Sequence, residues 1–176
     1  MIRSLLICAA LSMAAATFSA AQPPSPPATA TVTIAGKTIT IKYAAPSVRG
    51  RKIFGEGGRV SQDPTYPVWR AGANSATALH TDADLDINGL QVPKGDYTIF
   101  ALVNTTPWEL IINKQTGQWG LSYNKDMDLG RVKMNMSKPP APIETFKITL
   151  SSTAANTGKL QLEWENVIAS VPFKVK

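Results

Sequence analysis

The chain has 176 residues and a formal net charge of +6, from 18 basic and 12 acidic side chains, with one histidine and one cysteine. One cysteine excludes an internal disulfide framework and a cysteine metal site. The basic excess is modest and, outside residues 49–59, scattered, which argues against the dense basic stripe with interleaved aromatics of a nucleic-acid binder.

The N-terminus reads as an export signal. Arg3 precedes an almost unbroken apolar run from Leu5 to Ala16, and the small residues Ser19, Ala20 and Ala21 predict cleavage near Ala21 and a periplasmic or secreted product. The run is short of the roughly 20 apolar residues a membrane span needs, and no other stretch approaches that length. Cys8 lies inside the run behind bulky Ile7, which is not the setting of a lipidated cysteine. Cleavage removes Arg3 and the one cysteine, leaving 17 cations against 12 acids. The remaining chain of about 155 residues is long enough for one core without staples, since domains of that size bury roughly 70% of their unfolded surface.

Residues 22–29, QPPSPPAT, carry four prolines in eight positions and predict an extended, flexible tail. From residue 30 to 176 strand signals dominate. "TVTIAGKTITIKY" alternates around Ala35-Gly36 and reads as a hairpin. "DLDINGLQV" holds Asn88-Gly89, the strongest short hairpin signal, because a type I′ turn needs positive φ at both central positions. "DYTIFALVN" is apolar on both alternating faces and is expected to be a central strand. "WELIINK", "GRVKMNM", "ETFKITL", "KLQLEWENV" and "SVPFKVK" follow at intervals of roughly 8 to 15 residues. The expectation is an all-β fold: one antiparallel β-sandwich, preceded by a cleaved signal peptide and a proline-rich tail. A small outer-membrane barrel fits poorly with short, proline-interrupted strands and no aromatic girdles.

"HTDADLD" is the most metal-like string. In one extended strand His80, Asp82, Asp84 and Asp86 would share a face, but four such positions span about 20 Å, too far for one ion. The plain alternative is a solvated strand face opposite Leu85 and Ile87. Neither a metal nor a cofactor is expected. His80 is the sole histidine, no G-x-S-x-G elbow is present, and nothing pairs two acids across a cleft.

The basic stretch "PSVRGRKIFG" offers more. Gly50 between Arg49 and Arg51 allows a tight loop whose N–H groups could form an anion nest, and arginine forks match carboxylate and phosphate bidentately. Downstream, "VWRAGAN" adds Trp69 as a flat stacking face, Arg70 as another fork and Asn74 as an orienting amide. The candidate ligand-binding residues are therefore Arg49, Arg51, Lys52, Trp69, Arg70 and Asn74. The competing reading makes Arg51 and Arg70 internal braces paired with acids such as Glu109 or Glu165, with Trp69 in the core. Of the other tryptophans, Trp164 alternates with Leu160 and Leu162 and reads as core, while Trp119, flanked by Gly117 and Gly120, is the best candidate for an exposed aromatic.

Five blocks in order, "VRGRKIFG", "VWRAGANSAT", "VPKGDYTIFAL", "WELIINKQTGQWG" and "LEWENVIASVPFKV", resemble the exported bacterial family known as domain of unknown function 2911, over about residues 30–175. The resemblance implies a secreted or periplasmic β-rich domain and carries no reaction. It implies that Gly50, Arg51, Ile53, Phe54 and Gly55, with Trp69, Arg70, Gly72, Ala73 and Asn74, form the family's hallmark blocks. Ser75 stands where that family often has an acidic residue.

Taken together, the sequence predicts an exported, non-catalytic domain binding a small anionic or carbohydrate-like ligand at an Arg/Trp/Asn surface. The alternatives are an envelope structural or protein-docking domain braced by the same arginines and, third, a hydrolase with an acid opening onto the same cleft.

Overall fold

The computed structural model describes residues 24–176. The expected signal peptide at 1–21, and residues 22 and 23 of the proline-rich segment, lie outside the described residues. The rest of that segment is not all tail. Strand β1, Pro27–Ile34, begins inside it and pairs Pro27 with Ala44 and Thr29 with Lys42. Proline is tolerated because β1 is an edge strand and Pro27 is its first residue, where a missing N–H interrupts no inner ladder.

Both short turns form where expected. β1 and β2 (Lys37–Ala44) are joined by Ala35 and Gly36 at φ 51° and 71°. β5 (Leu85–Ile87) and β6 (Leu90–Val92) are joined by Asn88 and Gly89 at φ 48° and 96°. Positive φ at both central residues matches the right-handed twist of the flanking strands.

The remaining strands are β3 (Val68–Trp69), β4 (Thr77–Thr81), β7 (Gly95–Leu102), β8 (Glu109–Asn113), β9 (Asp128–Lys133), β10 (Asn135–Ser137), β11 (Ile143–Ala154), β12 (Thr157–Glu165) and β13 (Val167–Val175). One sheet runs β1-β2-β4-β7-β8-β9, with β3 also on β7. The other runs β11-β12-β13-β5-β6, with β10 also on β13. Among the described residues every ladder is antiparallel and no ladder joins the two sheets, so they form an open sandwich and not a barrel. Among the described residues, no helix is long and apolar enough to cross a membrane.

β7 is central, as its two apolar faces predict. Ile99 and Ala101 point into the core between the sheets, while Phe100 points outward and is still fully buried. Phe100 is covered by Val68, Ile111 and Tyr123, the last at 5.0 Å ring to ring from the connection after β8. Burial on both sides is what a central strand with no polar face requires.

At one end of the sandwich the core is aromatic. Trp69 and Trp164 stack at 5.8 Å, and Phe54 sets its edge against Trp69, Trp108 and Trp164 at 5.4, 4.8 and 5.8 Å. Phe146 closes the group 5.0 Å from Trp69. Edge-to-face pairs of this kind contribute about 0.5–1.5 kcal/mol beyond their buried area.

Candidate functional site

The site is built on an excursion of the chain from β7. β3 pairs with the last part of β7 (Val68↔Leu102, Trp69↔Ala101) and β4 with its first part (Thr77↔Ile99 to Thr81↔Gly95). Between them, residues 70–76 leave the sheet and return. Alternation along β3 sends Trp69 inward, where it is 2% exposed, and so turns Arg70 to the other side. Ala71 (φ 48°), Gly72 (φ 157°) and Asn74 (φ 60°) turn the chain back, and Thr77 Oγ1 donates to the Ala71 carbonyl at 2.8 Å to hold the bend.

The connection after β8 locks this excursion from outside. Ser75 and Trp119 form an isolated bridge, Ala76 N donates to Gln118 O at 3.1 Å, and Gly120 N donates to Asn74 O at 3.0 Å. The result is a wall carrying Arg70, Asn74 and Trp119, with the Trp119 ring 53% exposed.

The second wall is the turn at 48–51. Arg49 and Gly50 adopt φ 50° and 68°, and Arg51 N returns to Val48 O at 3.0 Å. The N–H of Arg49 donates to Glu144 Oε1 at 2.8 Å, so an internal carboxylate on β11 already meets the turn where an anion nest was expected. Arg51 folds back on its own turn, donating from Nε to Val48 O at 3.0 Å and from Nη2 to Ser47 O at 2.7 Å. Lys52 points elsewhere and donates to Glu56 O at 2.6 Å.

A third side comes from the short 3-10 turn Val60–Gln62 and its flanks. Asp63 accepts from Arg59 Nη1 at 3.4 Å and from Arg70 Nη2 at 3.3 Å. Its carboxylate is 8% exposed, Arg70 12% and Arg59 47%.

These three sides enclose a cavity of about 470 Å³. Arg49, Arg51, Arg59 and Arg70 line it together with Asp63, Asn74 and Trp119. The volume lies within the range of small-molecule sites, about 300–1,000 Å³. Four arginines thus line the cavity with Asp63, whose carboxylate is held by Arg59 and Arg70, while the Arg51 guanidinium is bonded to its own turn. Burial is the largest influence on Arg70 and lowers its pKa; Asp63 opposes this and the nearby Arg59 adds to it. Arg70 Nε is buried with no acceptor.

The structure thus brings together Arg49, Arg51, Arg70 and Asn74 of the predicted residues, and leaves Lys52 outside. Trp69 also lines the cavity but is buried, so it offers no open face; the exposed aromatic residue on the cavity is Trp119. Arg59 and Asp63 are additions that the sequence did not mark, because nothing local links them to Arg70. The expected partners Glu109 and Glu165 do not pair with the arginines in the hydrogen bonds above; Glu165 Oε1 accepts instead from Ile53 N at 3.3 Å.

The acidic series around His80 is dispersed by a change of sheet. β4 ends at Thr81 and β5 begins at Leu85 in the other sheet, so His80 and Asp86 do not share a strand. Each acid has a local partner instead. Asp84 accepts from Lys94 N at 2.8 Å, and Asp86 from Gly89 N at 2.7 Å. His80 lies between Asp96 (Nδ1, 2.7 Å) and Asp82 (Nε2, 3.1 Å), and these bonds raise its pKa, Asp96 most. Among the described residues, no group of three or more His, Cys, Asp or Glu side chains is arranged to hold a metal ion.

A family model described as Protein of unknown function (DUF2911) matches residues 25–173. The chain belongs to this family. No curated protein and no solved structure matches it significantly. In this DUF2911 chain the blocks VRGRKIFG and VWRAGANSAT meet in space: Phe54 of the first packs on Trp69 of the second inside the aromatic core, and Arg51 and Arg70 of the two line one cavity.

Proposed function

We propose that this chain is an exported, non-catalytic binding domain whose arginine cavity takes a small ligand through an anionic group. The observation that carries the reading is that Arg49, Arg51, Arg59 and Arg70 line one hollow together with Asp63, whose carboxylate is already shared by Arg59 and Arg70. Arginine forks supply bidentate contacts, Asn74 an orienting amide and Trp119 an apolar face. An anion entering beside Arg70 offsets both its desolvation and its repulsion from Arg59. Asp63 opens onto the same cleft, as a hydrolase would need, but it is engaged by two guanidinium groups and so is poorly placed as a free base. Export rests on the apolar run behind Arg3.

A second reading has its own support. Arg70 is paired to Asp63 in a largely covered site and Arg51 is bonded to two carbonyls, which is how braces of a structural or protein-docking domain look. Thermal unfolding against inorganic phosphate and glucuronic acid separates the two. A ligand at 100 times its dissociation constant adds about 2.7 kcal/mol. The expected result is a raised midpoint that Arg59→Ala, about half exposed and thus mild for the fold, reduces or removes. A midpoint insensitive to both anions, with Arg70→Ala losing stability by itself, leaves only the brace.

A further inference from the structure

The arginine cavity is one end of a longer trough. Ser25, Ala73 and Asn74 on its rim also line a second hollow of about 460 Å³, which continues past Ser75, Ala76 and Gly117. Lys42 and Ala78 are then shared with a third hollow of about 410 Å³, bounded by Thr40, His80, Asp96 and Thr116. The trough lies on the outward face of β2 and β4, where Lys42, Ala78 and His80 are exposed and alternate with buried Ile41, Thr77 and Leu79. From Ser75 to His80 it follows five residue steps, about 16 Å at roughly 3.3 Å each, too long for one small ring.

Three features specify what would lie there. First, charge is uneven: the arginines cluster at one end, Lys42 lies midway, and the other end carries Asp96 and His80, the latter also bonded to Asp82 beside the hollow. Second, small side chains at Ala76, Ala78 and Gly117 leave a shallow floor on which flat rings can approach the backbone. Third, among the described residues the two buried side-chain donors without an acceptor are Arg70 Nε and Gln118 Nε2, which belong to adjoining hollows. Gln118 Oε1 is already used by Thr98 Oγ1 at 3.4 Å. An occupant rich in acceptor oxygens is therefore favoured along the first two hollows.

The trough also disfavours an extended peptide. Strand addition needs a free sheet edge, and here the backbones of β2 and β4 are already paired, β2 with β1 and β4, and β4 with β7. Recognition must pass through side chains and ring faces. We propose, on the basis of the anion-binding reading, that the ligand is an oligosaccharide with an acidic group at one end. The acid lies among the arginines, the first ring lies against Trp119, and neutral, hydroxyl-bearing rings run past Gln118 and Ala78 toward Thr40, Thr116 and His80.

Calorimetric titration of the domain tests this with four probes: glucuronic acid, a xylotriose bearing one terminal glucuronate, neutral xylotetraose and tetraglutamate. The acid-terminated tetrasaccharide is expected to bind at least about tenfold more tightly than glucuronic acid, a difference of about 1.4 kcal/mol, and xylotetraose to give no measurable heat. Ala78→Tyr, an exposed strand position that accepts an aromatic, fills the trough and is expected to bring that ratio back toward one. Equal affinity for the mono- and tetrasaccharide overturns the trough and leaves the anion site standing. No heat with either acid, together with no effect of phosphate on unfolding, removes the anion reading and the trough with it. Tighter binding of tetraglutamate than of the acidic tetrasaccharide overturns the carbohydrate assignment in favour of a peptide.

Discussion

Gly120 packs directly against Arg70: a Cβ at position 120 would overlap Arg70 Cδ and stand 2.5 Å from the Asn74 carbonyl oxygen. The glycine is thus demanded by close approach, since the walls carrying Arg70, Asn74 and Trp119 meet where no side chain fits. Gly120→Ala is expected to cost about 1–3 kcal/mol by overpacking and to weaken phosphate binding by displacing Arg70. Urea unfolding and a phosphate titration measure the two effects. Unchanged values for both would mean that the walls give way freely.

Asp63 sits between two arginines, and removing its charge leaves them facing each other. Asp63→Asn is expected to lower stability by about 1.5–3 kcal/mol, the range for a hydrogen bond to a charged group. If the cavity accepts anions, phosphate restores part of that loss in the variant, because an added anion replaces the missing carboxylate. A variant whose deficit is identical with and without phosphate would speak for a purely internal brace.

The tryptophans should divide sharply. Trp69→Ala removes the stacked partner of Trp164 from a closed aromatic group and is expected to cost about 3–5 kcal/mol. Trp119→Ala, at an exposed ring, is expected to stay within about 0.5 kcal/mol. Of the chain's 4 tryptophans, Trp69, Trp108 and Trp164 are buried, so collisional quenching reports chiefly on Trp119. Arginines around it concentrate anions, so iodide should quench more strongly than caesium, and Trp119→Phe should abolish the difference.

His80 confers a small pH dependence of known sign. Its folded pKa is raised above the ordinary 6.5 by hydrogen bonds to Asp96 and then Asp82. Its contribution is therefore full below about 6.5 and is lost as pH rises through the higher folded value. Asp82, lowered below 3.8 chiefly by His80, contributes above that value, and its share is lost as pH falls through the depressed folded value. Both groups are exposed, so the effect on unfolding is modest. Carbon-detected titration of the imidazole should give a midpoint above 6.5 that Asp96→Asn lowers; no change in that variant would remove Asp96 as the cause.

How far the sequence reached can be judged residue by residue. Asn88-Gly89 and Ala35-Gly36 were legible because a type I′ turn depends on the φ of two adjacent residues. β7 was legible because, past Asp96, both of its faces are buried and Thr98 is the one polar side chain left among apolar neighbours. The string from His80 to Asp86 misled in one respect, since its alternation continues across a change of sheet, and only pairing reveals that β4 and β5 belong to different layers. Pro27 misled in another, because an edge position lets a proline begin a strand that composition assigns to a tail.

The amino-acid sequence by itself determined most of the strands, the two short turns and the blocks that bear Arg49, Arg51 and Arg70, since each depends on neighbours a few residues apart. Only the tertiary structure decided that Trp69 faces the core and Trp119 the cavity, that Asp63 bridges Arg59 and Arg70, and that Lys52 turns away. Those outcomes depend on which side of β7 a two-residue strand presents and on how segments dozens of residues apart close over it. No local pattern carries that information, because side-chain direction is set by the sheet a segment joins.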